Sequence, residues 1–317
     1  MRSAPRPTAR GSAKLGRSLA TAPRRALGTA VPPASDTDFP GPVWARDEPR
    51  IAGATDVGVV RRINQDAFGR FDDDDRREIL LVVADGLGGH QGGEVASQMA
   101  VDLIGRRVQE SEGEPAERLT RAIEDANAAI FQAAREDEAL SGMGTTVVCL
   151  LLCEDGRSHI AHVGDSRLYR LRTSSIRSMT DDHSLVATLV REGVLTPEEA
   201  QEDPRRNQIL RALGVHEQLE VELGTVDLEP GDVYVLCSDG LHGMIEDDEI
   251  HRIGYRPIRP EAVAEELIAA ANAAGGADNV TCVVAQVPEP MPIDTIRSTL
   301  DRVMQSLRGL LGRRPGT

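Results

Sequence analysis

Aromatic residues make up only 3% of this 317-residue chain, and they do not interleave with basic residues as a base-stacking surface would require. A core must therefore rest on Val, Leu, Ile and Ala, which a hydrophobic content of 40% supplies amply. Long apolar runs are missing too. None reaches the length of a membrane span, and Arg24-Arg25 is not followed by the hydrophobic segment of an export signal. Cysteine is sparse: Cys149, Cys153, Cys237 and Cys282 lie within apolar runs, and none forms a C-x-x-C pair suited to zinc or redox chemistry. Free, buried thiols in a reducing, cytoplasmic setting are expected.

Basic residues are unevenly spread. Residues 1–35 carry Arg2, Arg6, Arg10, Lys14, Arg17, Arg24 and Arg25 and no acid; removing that +7 from the formal −15 leaves −22 for residues 36–317. So acidic a body disfavours polyanions as general partners, and no nucleic-acid partner is expected. Cations bound in a carboxylate cluster would reverse the sign locally, where an anion must enter.

Residues 1–49 are rich in Pro, Ala, Arg, Ser and Thr, with breakers at Pro32-Pro33 and Pro40-Gly41-Pro42, and read as a disordered basic leader. Residues 50–288 read as one folded domain. Short β-branched runs begin near Arg50, between Gln65 and Phe71, and from Ile79 to Ala84. Two helical patterns follow, one through Val95, Met99, Leu103 and Val108, the other through Leu119, Ile123, Ala126 and Ile130 after Pro115. Strands resume at 144–152, 159–163 and 167–171; Gly164-Asp165-Ser166 between the last two predicts a hairpin turn. A polar helical stretch runs on to about Leu213. Strands near 219–226 and 233–237, a helix over 260–274 and a strand over 280–287 complete the pattern. Strands come in groups, not in strict alternation with helices, which argues for an α+β fold with antiparallel sheets and helices on their outer faces. Residues 289–317 place Ile293, Ile296, Leu300, Val303 and Leu307 on one face of a basic amphipathic helix, suited to an anionic membrane, a partner or its own domain.

Six aspartates, Asp66, Asp85, Asp165, Asp182, Asp239 and Asp278, sit where strand-like runs give way to Gly-rich or polar turns. Carboxylates gathered at strand ends suit hard divalent cations, and two such ions can activate water against a phosphoester. Asp85-Gly86 ends an apolar run and opens a Gly-rich segment, where the Gly86 carbonyl offers a further oxygen. One Asp-Gly pair is most often an ordinary turn, but Ser238-Asp239-Gly240 repeats the arrangement and Asp278-Asn279 precedes the last strand.

The segments TDVGVVRRINQDAF, VVADGLGGHQGGEVAS, GMGTTVV, AHVGDSRLYR, DDHSL, ILRALG, LCSDGLHGMI and GGADNVTCVV, in that order, resemble the successive motifs of the metal-dependent protein phosphatases of type 2C, particularly their bacterial branch. The resemblance spans Arg50 to about Val287. It implies an α-β-β-α sandwich and a serine/threonine phosphatase that hydrolyses phosphoserine and phosphothreonine by metal-activated water, opposing a bacterial Ser/Thr kinase. Two Mn²⁺ or Mg²⁺ ions are implied: Asp85 bridges both, Asp239 and Asp278 complete the first site, and the Gly86 carbonyl serves the second. Asp165 with Asp239 resembles a third-metal site. Arg61 matches the arginine that holds the substrate phosphate, and Asp66 the residue that orients water. Residues 184–215 resemble a flap over the cleft, and a monomer is expected.

Two departures stand out. Gln65 replaces a glutamate common in the first motif, removing a charge beside the second metal. Leu87 stands where some members carry a histidine that protonates the leaving group. The competing reading is a phosphoprotein-binding module that has lost turnover through Gln65; a two-metal nuclease is disfavoured by the acidic body. Among the histidines, His159 and His162 must point to opposite faces of their strand, and His90, His183 and His242 lie inside the motifs, where structural roles are favoured over catalysis.

Overall fold

In a computed structural model, residues 48–88 and 92–289 are described; the basic leader up to residue 47, the C-terminal amphipathic segment from residue 290 and His90 lie outside them. Strands β1 (Arg50–Asp56), β2 (Asp66–Asp73) and β3 (Glu78–Leu87) precede helices α1 (Gly92–Glu110) and α2 (Pro115–Glu136). Then come β4 (Gly144–Thr145), β5 (Val147–Cys153), β6 (Arg157–Val163), β7 (Arg167–Arg172) and β8 (Ser175–Ser178). Helices α3 (Leu185–Arg191) and α4 (Pro197–Glu202) lead to β9 (Glu222–Asp227) and β10 (Val233–Cys237). The order closes with α5 (Asp239–His242), α6 (Asp247–Gly254), α7 (Pro260–Ala273) and β11 (Val280–Gln286).

Two antiparallel sheets result, one ordered β1-β11-β10-β7-β8 and the other β2-β3-β5-β6-β9, with β4 paired to the end of β3. Between them lies a core of Leu81, Val83, Leu150, Leu152, Leu168, Leu236 and Val283. The outer face of the second sheet packs Leu80, Val82 and Leu151 against α1 and α2, while that of the first packs Val235, Val284 and Leu171 against α6 and α7. Strands β5, β10 and β11 are buried along their whole length, which is why they read as unbroken apolar runs without alternation. Each Leu or Val so buried contributes about 1.5–3 kcal/mol. The four-layer α-β-β-α arrangement expected from the sequence is present, and all four cysteines are buried free thiols. No helix among the described residues is long and apolar enough to cross a membrane.

The expected hairpin at Gly164-Asp165-Ser166 is not there. Strand β6 pairs with β5 and β9, whereas β7 pairs with β10 and β8, so this turn carries the chain from one sheet to the other. The reason lies in its hydrogen bonds. The Gly164 N–H donates to His183 Nδ1 (3.1 Å) and its carbonyl accepts from the His183 N–H (2.9 Å), so the turn is tied to a distant loop instead of closing on itself. Gly164 adopts φ +109°, with Thr146 packed where a side chain would stand.

Smaller differences concern length. The helical pattern expected up to Leu213 stops at Glu202, and turns plus the Ser184–Ile209 bridge fill the remainder. The expected strand over 144–152 breaks at Thr146, whose hydroxyl accepts from the Asp85 N–H (3.0 Å). Strands β8 and helices α5 and α6 were not read from the sequence; four to eight residues are too few for a period to declare itself.

Candidate metal centre

Strands β2 and β3 pair with Asp66 directly opposite Asp85, which puts both carboxylates on one face at one end of the second sheet. The backbone of Asp85 is pinned there. Its carbonyl accepts from the Thr146 N–H (2.9 Å) and the Thr145 hydroxyl (2.9 Å). The first sheet delivers Asp239 from the end of β10 and Asp278 just before β11, neighbouring antiparallel strands whose ends meet.

Small residues and one amide let these ends converge. A Cβ on Gly240 would stand 1.9 Å from the Asn279 carbonyl oxygen, so only glycine permits the Asp239 turn to lie against the Asp278 turn. Ser238 Oγ donates to Asp66 Oδ2 (2.7 Å) and accepts from the Thr281 N–H (3.0 Å), joining the two sheets at the site. Asn279 is a hub that sequence reasoning missed. Its Oδ1 accepts from the Gln65 N–H (2.9 Å), and its Nδ2 donates to the carbonyls of Val57 and Ile63 (2.9 Å each), clamping the loop that carries Arg61. An Asn after an Asp looked like turn chemistry, and nothing local distinguished it.

The electrostatics follow from this crowding. Burial, then the charges of Asp66, Asp239, Asp165 and Asp278, hold the Asp85 carboxyl well above the usual range. Burial raises Asp66 to about 7 and Asp165 to about 8, in both cases with help from the Asp239 charge. Burial and then Asp278 raise Asp239 to about 6, although it lies within hydrogen-bonding reach of Asp85. Buried oxygens of Asp66, Asp165 and Asp239 have no hydrogen-bond partner. Burying carboxylates without partners is expensive, so the cluster has the character of a set of hard oxygen donors awaiting cations. Asp85 and Asp239 nonetheless keep some solvent access, which an entering ion needs.

Of the residues expected at the site, Asp66, Asp85, Asp165, Asp239 and Asp278 are brought into mutual electrostatic range. The Gly86 N–H donates to the Gln65 carbonyl (3.1 Å), so these two are neighbours, and Gln65 Nε2 reaches the Gly88 carbonyl at 3.4 Å. Arg61, about half exposed, places Nη2 2.7 Å from Asp278 Oδ2. Asp182, the remaining aspartate of the six, is occupied differently. Arg167 grips it with two bonds of 2.8 Å, and although burial opposes ionisation, that guanidinium keeps its carboxyl below the usual range. His242 Nε2 donates to the Asp165 carbonyl (3.0 Å); burial and then Arg167 lower it to about 4, so it stays neutral and structural.

A second group, His162, His183 and Glu222, also gathers three potential ligand atoms. Its hydrogen bonds argue against a metal. Since His183 Nδ1 accepts from the Gly164 N–H, its proton sits on Nε2 and points at Glu222 Oε2 (3.0 Å), leaving that nitrogen no lone pair. The two rings stack at 4.7 Å and 16°, so their in-plane nitrogens do not converge on one point. A cavity of about 620 Å³ lined by Arg50, Val233, Tyr255 and Gln286 lies at the opposite end of the first sheet, separated from the carboxylates by the length of β1 and β11.

Known proteins share this fold and much of this sequence. The chain is 38% identical over 237 residues to the serine/threonine phosphatase stp of Listeria innocua, covering 73% of this chain and 93% of that one. The serine/threonine phosphatase PstP/Ppp of Mycobacterium tuberculosis superposes with a TM-score of 0.69 at 38% identity, over 76% of this chain and all of that one. The PstP catalytic domain solved in complex with two manganese ions gives 0.68 at 37% identity, over 76% and 99% of the two chains. A sequence profile described as Protein phosphatase 2C matches residues 60–274, more than half of the chain and every aspartate of the cluster except Asp278. With the profile matching more than half of its length and a relative 38% identical over most of both chains, the chain belongs to the protein phosphatase 2C family.

Proposed function

We propose that this protein removes phosphate from phosphoserine and phosphothreonine in other proteins, with Mn²⁺ or Mg²⁺ as cofactor, opposing a Ser/Thr kinase in the cytoplasm. The observation that carries the reading is the knot of carboxylates where the two sheets meet, three of which each bury an oxygen without a hydrogen-bond partner. In this reading Asp85, Asp239 and Asp278, the Gly86 carbonyl with Gln65 beside it, and Asp165 are the groups that would hold the ions. Bound there, the cations would acidify water and neutralise phosphate oxygens.

The chain's own groups do the remainder. Arg61 is exposed enough to turn from Asp278 to the phosphate, where its planar fork meets two oxygens at once. Asp66, held through Oδ2 by Ser238, keeps Oδ1 as the acceptor that orients the attacking water. Leu87 offers no proton, and the buried cysteines are far from nucleophilic: burial pushes the Cys282 thiol up to about 12. With the thiols set aside, attack in this reading is by water, which gives up a proton as the new P–O bond forms, while the departing alkoxide takes one from solvent.

A phosphothreonine peptide assayed with and without Mn²⁺ tests this directly. Turnover should require the metal, and Asp239→Asn should lower kcat/KM by about 100-fold or more, a loss of at least ~2.7 kcal/mol of transition-state stabilisation. Metal-independent turnover, or an unimpaired variant, rejects the proposal.

A further inference from the structure

Eight large apolar side chains are exposed among the described residues, and three of them, Val59, Val60 and Ile63, flank Arg61 on one short loop. Val59 and Val60 are each 67% exposed and Ile63 43%. This is a held surface. The N–H groups of Val59 and Val60 donate to the Gly276 carbonyl (2.8 and 3.2 Å), the Gly58 N–H to Asp56 Oδ1 (2.8 Å), and Asn279 bonds the carbonyls at both ends of the loop. The backbone polar groups thus turn inward while the apolar side chains face water, a costly arrangement for residues that could have been polar.

We infer that Val59, Val60 and Ile63 form a fixed apolar rim that recognises phosphopeptides carrying an apolar residue beside the phosphorylated serine or threonine. The inference rests on the phosphatase reading and adds a substrate preference to it. Val60 adjoins Arg61 in the chain, and Val59 and Ile63 each lie two residues from it on the same bonded loop, so apolar surface borders the guanidinium that would meet the phosphate. A loop already rigid loses little conformational freedom on binding, so the apolar contact is not spent on ordering it. The rim is continuous with the proposed phosphate contact, which fixes the occupant as the substrate chain itself.

The test uses the full chain with Mn²⁺ and phosphothreonine peptides that differ only in the adjoining residue, Leu or Ser, placed before or after the phosphothreonine, together with an aryl phosphate that has no peptide. The expected result is a preference of roughly tenfold in kcat/KM for at least one Leu peptide over its Ser counterpart, expressed mainly in KM. Val59→Ser, Val60→Ser and Ile63→Ser should each shrink that ratio towards one, and because all three side chains are exposed, the fold should tolerate them. Equal turnover of Leu and Ser peptides at both positions, or a preference untouched by all three variants, overturns the inference while leaving the phosphatase reading intact. Absence of metal-dependent turnover on every substrate, aryl phosphate included, overturns both.

Discussion

Gly240 shows how tightly single residues set the site. Any side chain there meets the Asn279 carbonyl at once, so Gly240→Ala must separate the turns that bring Asp239 and Asp278 together. A loss of about 2 kcal/mol or more in unfolding free energy is expected, with a larger proportional loss of metal affinity. Chemical denaturation and calorimetric titration check the pair of effects; an alanine variant with normal metal affinity would contradict the convergence described here. Gln65 sets the opposite case. It adjoins Gly86 without contributing charge, so Gln65→Glu should tighten Mn²⁺ binding, and an unchanged dissociation constant would refute that role.

Elements matter through how they are joined. The His183 ring accepts the Gly164 N–H and donates to Glu222, tying the turn before Asp165 to strand β9, while the backbone carbonyl of the same residue accepts from the Leu210 N–H (2.7 Å). Its replacement by alanine removes two side-chain hydrogen bonds from a buried place, about 1–3 kcal/mol. Amide exchange at Gly164 should accelerate in His183→Ala, because its N–H loses its acceptor; unchanged protection there would show that the ring is not the latch. This joint is also where sequence reading failed. A Gly-Asp-Ser turn between two strands looks the same locally whether the strands pair or part, and only His183, nineteen residues on, decides it. By contrast β3 and β10 were legible, because strands buried on both faces write themselves as apolar runs, and an Asp-Gly pair closes each run, near the end of β3 and just after β10. The aspartates could be picked out as strand-end residues, but the Asp66–Asp85 register and the Asn279 clamp are tertiary facts that no local pattern encodes.

At the scale of the whole molecule, two sheets each bring two carboxylates to a common end and pack on Val, Leu and Ile elsewhere. The cluster therefore links stability to pH. Folded Asp66 and Asp165 titrate near 7 and 8 against 3.8 for an unperturbed carboxyl. A raised carboxyl gives its full stabilising contribution below the unfolded value and loses it as pH climbs through the folded one. The metal-free protein should accordingly melt at a lower temperature at pH 9 than at pH 6.5. That window lies above the range in which neutral His183 and His242, both lowered, would act in the opposite sense. Saturating Mg²⁺ should flatten the difference, since bound cations replace the protons. Equal pH dependence with and without metal would speak against the carboxylates as the binding groups.

The most direct measurement is an anomalous difference map from crystals grown with Mn²⁺. Two peaks touching the Asp85 carboxylate are predicted, one shared with Asp239 and Asp278 and the other with the Gly86 carbonyl. Manganese bound only elsewhere, or no peak at Asp85, would contradict the account.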